Sequence, residues 1–178
     1  MMGIVFIEFI NIVNTNFGND ICNAMIKKTK DNKKYIKNYN YSHHRLLKLM
    51  NALSELTKIS VNDLLILMGQ KVFLPFVTSL PIEIMRIDNT IDFIVYLETY
   101  IHNEAKKLYP KAKMPKIVLV FISSNELIMD YFSPRCMGHV CFGLIKGCAE
   151  YFDEDIDVKM QLMDDSGSHV RFKLNKLK

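Results

Sequence analysis

Apolar positions in the first half of the chain recur at helical spacing. Ile4, Val5, Ile7, Phe9, Ile10 and Val13 form one series, which stops around Phe17-Gly18. Asn19-Asp20 offers a cap for a second helix carrying Ile21, Cys22, Ala24, Met25 and Ile26. Residues 30–43 are rich in Lys, Asn and Tyr and predict a loop with at most a short turn. Leu46, Leu47, Leu49, Met50, Leu53 and Leu56 predict a helix over 42–57. Ser60 and Asp63 then make a capping-box-like start to a helix that runs to Gly69. Residues 70–80 are apolar around Pro75, which predicts a kinked or broken helix. Asn89-Thr90 caps a further helix that Pro110 ends, with Ile94, Leu97, Ile101, Ala105 and Leu108 as its core stripe.

The pattern then changes period. Residues 116–123 (KIVLVFIS) and 126–132 predict two strands joined by turn chemistry at Ser124-Asn125. A helix over about 136–152 follows, and residues 156–163 and 168–175 flank Asp-Asp-Ser-Gly as a hairpin. The expected fold class is α+β: a helical N-terminal subdomain, then a subdomain of helices and an antiparallel sheet. A chain of 178 residues fits one domain, here 1–178, with the helical part over about 1–65 and the α+β part over about 66–178. It shows no internal repeat and no linker composition.

Composition adds limits. Nearly half the residues are apolar, with 11 Phe and 11 Met, which suits a packed core or a core holding a large apolar ligand. Lys27, Lys28, Lys30, Lys33, Lys34 and Lys37 crowd one stretch, but without arginine forks or dense aromatic interleaving they predict no nucleic-acid surface. Cys22, Cys136, Cys141 and Cys148 form no C-x-x-C pair, and the last three are assigned to one helix. Reduced, largely buried thiols in a cytoplasmic protein are expected. The apolar N-terminus carries Glu8 and Asn11 and no charged leader, so it does not predict a signal peptide. No apolar run reaches the ~18 residues of a membrane span.

Two features carry chemistry. In Tyr131-Phe-Ser133-Pro-Arg135, an extended strand would turn positions i, i+2 and i+4 to one side. A phenol, a hydroxyl and a guanidinium would then converge on neighbouring carboxylates. His102 lies beside the core stripe of its helix, near Val95, Glu98, Ala105 and Tyr109. No further metal ligands stand nearby, a demand that heme removes because the porphyrin supplies four nitrogens. No nucleophile–base pair or paired carboxylates point to catalysis, so the chain is not expected to be an enzyme.

These residues join others in an ordered set. The opening GIVF…NTNFGND, Leu-Met-Gly69, His102 with Tyr109-Pro110, Met114-Pro115, YFSPR at 131–135, and Gly143-Leu-Ile-Lys-Gly147 before Tyr151-Phe152 follow one another along the chain. From Gly3 to about Lys159 the sequence resembles the heme nitric oxide/oxygen-binding (H-NOX) domain, related to the heme domain of soluble guanylate cyclase. The resemblance implies heme b as cofactor, His102 as axial iron ligand, and Tyr131, Ser133 and Arg135 on the propionates. It places Pro115 where the family presses a proline against the porphyrin. It also implies that nitric oxide weakens the iron–histidine bond, so that the porphyrin relaxes and the N-terminal helices shift.

In oxygen-binding members a distal tyrosine donates to the ligand. The ungapped spacing between the two motifs puts Val140 at that position, with Val5, Phe9, Val72, Phe76 and Leu144 around it, all apolar. The resemblance therefore implies a sensor of nitric oxide and carbon monoxide that excludes oxygen. His139, beside Val140, points about 100° away on a helix; turned inward, it would supply the missing donor. The partners implied are a histidine kinase, a cyclic-dinucleotide enzyme or a fused chemotaxis receptor. The rival expectation is a heme-free interaction module that uses the same groove for a partner helix.

Overall fold

The computed structural model describes residues 1–78, 80, 86–100 and 115–177. These divide into two compact units, Met1–Met68 and Gly69–Lys178, with the division falling inside a helix.

The first unit starts with α1, Gly3–Thr29. The two helices expected on either side of Gly18 are one helix with a kink, because Gly18 takes φ 84°, ψ 163°, a conformation open to glycine. The kink resets the buried stripe from Phe6, Phe9 and Val13 to Cys22, Met25 and Thr29. The loop after α1 folds back on its beginning. Gly3 N–H donates to the Tyr39 carbonyl (2.8 Å) and Ile4 N–H to that of Lys37 (3.0 Å), satisfying donors that a helix start leaves unpaired. A Cβ on Gly3 would lie 2.0 Å from the Ile36 carbonyl oxygen, so this approach needs glycine. Tyr35 stacks on Phe6 and meets Tyr41 edge-on beneath the loop, and Tyr41 in turn meets Tyr39 edge-on at the surface.

Helix α2, His43–Thr57, buries Leu46, Leu49, Met50 and Leu53, as its periodicity predicts. Helix α3, Val61–Val77, begins with Ser60, whose Oγ accepts from Asp63 N–H (3.1 Å) and donates to the Asp63 carboxylate (2.6 Å). Of the kinked or broken helix expected around Pro75, the break does not occur: α3 runs through Pro75 as a single helix. Pro75 removes one helical donor close to the C-terminus on an exposed side, and the Thr78 hydroxyl bonds back to the Leu74 carbonyl at 2.9 Å.

In the second unit, α4 is described over Thr90–Tyr100. Asn89 caps it: its Oδ1 accepts from Asp92 N–H at 2.9 Å. The strands are β1, Lys116–Ile122; β2, Glu126–Phe132; β3, Ile156–Leu162; and β4, His169–Lys176. They form one antiparallel sheet in the order β1-β2-β4-β3. Helix α5, Gly138–Tyr151, precedes the β3–β4 hairpin. Leu127, Met129, Tyr131, Val170, Phe172 and Leu174 share one face of the sheet and pack with Ile91, Ile94, Cys141 and Ile145 of α4 and α5. The expected α+β class with an antiparallel sheet is the architecture found.

Candidate heme site

The sheet presents Tyr131 on its helix-covered face, 6% exposed, opposite Val170 in the register. The neighbouring residue on β2, Asp130, faces the other way. There Arg171 grips it with Nε on Oδ1 (2.7 Å) and Nη2 on Oδ2 (2.8 Å). This pair locks the β2–β4 register and thereby fixes which side Tyr131 occupies.

Beyond Phe132 the chain departs from the extended line expected for Tyr131, Ser133 and Arg135. The strand ends, and Cys136 N–H donates to the Ser133 carbonyl at 3.0 Å to close a turn over Pro134 and Arg135. The Ser133 hydroxyl also accepts from Arg135 N–H at 3.3 Å. A turn containing proline cannot continue the ladder, so Arg135 is placed by the turn and not by strand alternation. The three groups still meet. Burial pushes the Tyr131 phenol up to about 12, while a hydrogen bond with Ser133 and the charge of Arg135 act in the opposite direction. Ser133 is 3% exposed, Arg135 is half-buried, and no carboxylate among the described residues pairs with that guanidinium.

The thiols differ in part from expectation. Cys22, Cys141 and Cys148 are buried, and burial raises all three. Cys136 is exposed and lies ahead of α5, because the turn holds it at φ 54°.

The apolar positions expected around a gas ligand fall on several elements. Val5 and Phe9 lie on α1, the first half-buried and the second buried. Val72 and Phe76 lie on α3, and Val140 and Leu144 on α5, all half-buried. Within the second unit α3 and α5 touch backbone to backbone. A Cβ on Gly69 would lie 2.2 Å from the Val140 carbonyl oxygen and 2.9 Å from Leu144 N. Val72 and Phe76 therefore flank the contact row that Val140 and Leu144 flank from the other helix. None of these four side chains carries a donor, and the nearby Gln70 amide is committed to Glu150. His139 is half-buried. Pro115 is half-buried just before β1, and His102 lies outside the described residues, two positions beyond the described end of α4.

The sequence offered no hint of what anchors α4. Glu154, after α5, accepts from Thr90 N–H at 2.8 Å and from Lys176 Nζ at 2.5 Å. Burial pushes the Glu154 carboxyl up, but the bonds from Lys176 and Thr90 outweigh it and hold it below the usual range. The start of the helix is thus tied to the segment after α5 and, through it, to β4.

The sequence profile of the family described as Haem-NO-binding matches residues 2–160. The chain belongs to that family. Its members are heme-based gas sensors, and the domain is the H-NOX domain. The Fe(II) unliganded H-NOX protein of K. algicida is 28% identical, with a TM-score of 0.89 over 100% of this chain and 97% of that one. The S. oneidensis H-NOX protein in the Fe(II)NO state is 21% identical, with a TM-score of 0.84 over 100% of both chains, a likeness of fold. No curated protein matches the chain by sequence.

The residues present fit a heme. Its two propionates need donors and positive charge at the edge of an apolar slot. Tyr131, Ser133 and Arg135, whose guanidinium pairs with no carboxylate among the described residues, could supply these at the margin of an apolar core. Among the described residues no cluster of His, Cys, Asp and Glu could hold a bare metal ion.

Proposed function

We propose that this H-NOX domain binds nitric oxide and carbon monoxide at a ferrous heme b, discriminates against oxygen, and passes the change to a signalling partner. When bound, heme would supply an iron able to take a protein imidazole and a diatomic gas as ligands. His102 is the imidazole in this reading. Tyr131 and Ser133 would donate hydroxyl hydrogens to the propionate carboxylates, and Arg135 would neutralise them. Pro115 would lie against the ring, and Val5, Phe9, Val72, Phe76, Val140 and Leu144 would line the gas-binding side.

The observation that carries gas selectivity is the donor-free pairing of α3 and α5 at Val72, Phe76, Val140 and Leu144. Oxygen develops partial negative charge, and a hydrogen bond to a charged group contributes about 1.5–3 kcal/mol. Nitric oxide and carbon monoxide need far less of it. The output is a bistable element biased by ligand, read by a histidine kinase, a cyclic-dinucleotide enzyme or a fused chemotaxis receptor in the cytoplasm. No helix among the described residues is by itself long and apolar enough to cross a membrane.

Replacement of His102 by Gly tests the ligand assignment. The variant is expected to lose most heme affinity and to recover a bound spectrum with added imidazole. An unchanged spectrum and affinity would remove His102 from its role. A wild-type protein that stays colourless with hemin would favour the interaction-module reading instead.

A further inference from the structure

The charge of the chain is divided unevenly between its units. Residues 1–68 hold nine Lys and Arg against five Asp and Glu, whereas residues 69–178 hold fourteen of each. The whole excess therefore belongs to the first unit, and most of it lies between Lys27 and Lys37. Lys27, Lys28, Lys30, Lys33, Lys34 and Lys37 are all exposed there. Lys28 pairs with Glu55, and Asp31 is turned inward, bonded by Tyr35 (2.7 Å) and by Arg45 at 3.1 and 3.2 Å. That leaves five ammonium groups with no carboxylate partner among the described residues.

Between them stands an apolar tip. Tyr39 N–H donates to the Ile36 carbonyl at 3.0 Å, closing a turn whose two ends project outward. Ile36 is 65% exposed and Tyr39 60%, more than any other large apolar side chain described. Floppiness does not explain this exposure, because the loop is bonded to the start of α1 and underpinned by the stack of Phe6, Tyr35 and Tyr41. A hydrogen-bonded turn holds an isoleucine and a tyrosine out in water, within the stretch that carries the exposed lysines.

From this we propose that the 30–40 loop is a peripheral docking site for an anionic lipid surface, with Ile36 and Tyr39 entering the headgroup region and Lys27, Lys30, Lys33, Lys34 and Lys37 meeting lipid phosphates. Two features select a bilayer over an acidic protein. The free cations are all lysines, point charges on flexible stems that suit a fluid array of phosphates, whereas fixed carboxylates favour arginine forks. The apolar pair also stands exposed at the two ends of one tight turn, which suits shallow insertion into an interface. Each lysine near an anionic leaflet contributes about fivefold in binding.

The full chain, mixed with vesicles of phosphatidylcholine alone or with about one-third phosphatidylglycerol, tests this by co-sedimentation. Binding is expected only to the anionic vesicles, reduced at least tenfold by Lys33→Glu/Lys34→Glu/Lys37→Glu and severalfold by Ile36→Ser. Because the chain has no tryptophan, Ile36→Trp gives a single reporter whose emission should shift to the blue with anionic vesicles. Equal sedimentation with both vesicle types, or none with either, would overturn the proposal. So would vesicle binding indifferent to Ile36, or an unshifted reporter, which would mean simple charge adhesion. Tight capture by an acidic peptide with no vesicle binding would assign the loop to a protein.

Discussion

Cys136 and Ser133 close a turn, amide to carbonyl at 3.0 Å, and that turn takes Arg135 off the line of β2. Its consequence is that the guanidinium reaches the same edge as the Tyr131 phenol, with no carboxylate partner among the described residues. Replacing Arg135 by Ala should speed heme loss roughly 10–100-fold, the scale of a charge-assisted hydrogen bond. Ser133→Ala should act in the same direction but less, because it removes a neutral donor and the acceptor of Arg135 N–H. Transfer of heme to an apo-globin acceptor measures both.

Tyr131 should remain a hydrogen-bond donor far into the alkaline range. Burial holds its phenol up to about 12, and Tyr35, which burial and Asp31 hold up, also lies at about 12. A group raised in the folded state contributes stability that is complete below its unfolded value near 10 and is lost as pH climbs toward 12. An ultraviolet titration of the tyrosines is expected to show a late phase that Tyr131→Phe diminishes.

Much of this was written locally in the chain. The strand runs 116–122 and 126–132, the Ser60 and Asn89 caps, and the hairpin at Asp164–Gly167 follow from alternation and turn chemistry within a few residues. The chain departs from its local signals where two of them compete. Gly18 kinks a helix without ending it, and Pro75 sits near enough to a helix end that its missing donor breaks nothing. Strand alternation predicts an extended chain through Pro134, where a turn takes over instead. The ties of Glu154 to Thr90, and of Asp130 to Arg171, join residues 64 and 41 positions apart, and no sequence period reports such pairs.

Gly69 is expected to tolerate no side chain. A Cβ there would sit 2.2 Å from the Val140 carbonyl oxygen, a backbone atom that cannot swing aside. Gly69→Ala should therefore destabilise the protein by about 1–3 kcal/mol, measured as a lower denaturant midpoint. Gly147→Ala, which meets Gln70 O and Phe73 Cβ at 2.7 Å, should behave alike.

A donor restored to the distal face should restore oxygen binding. Val140→Tyr places a phenol on α5 among otherwise apolar neighbours, and oxygen affinity is expected to rise roughly 10–150-fold while nitric oxide binding changes little. Oxygen titration of the ferrous variant, monitored in the Soret region, reads the difference.

The central claim is a heme with a donor-free gas pocket, and absorption spectroscopy of the reduced wild-type protein addresses it most directly. One Soret-absorbing heme per chain is predicted, shifting on exposure to nitric oxide and unmoved by brief exposure to air. A stable oxygen-bound spectrum, or a chain that takes up no heme at all, would contradict it.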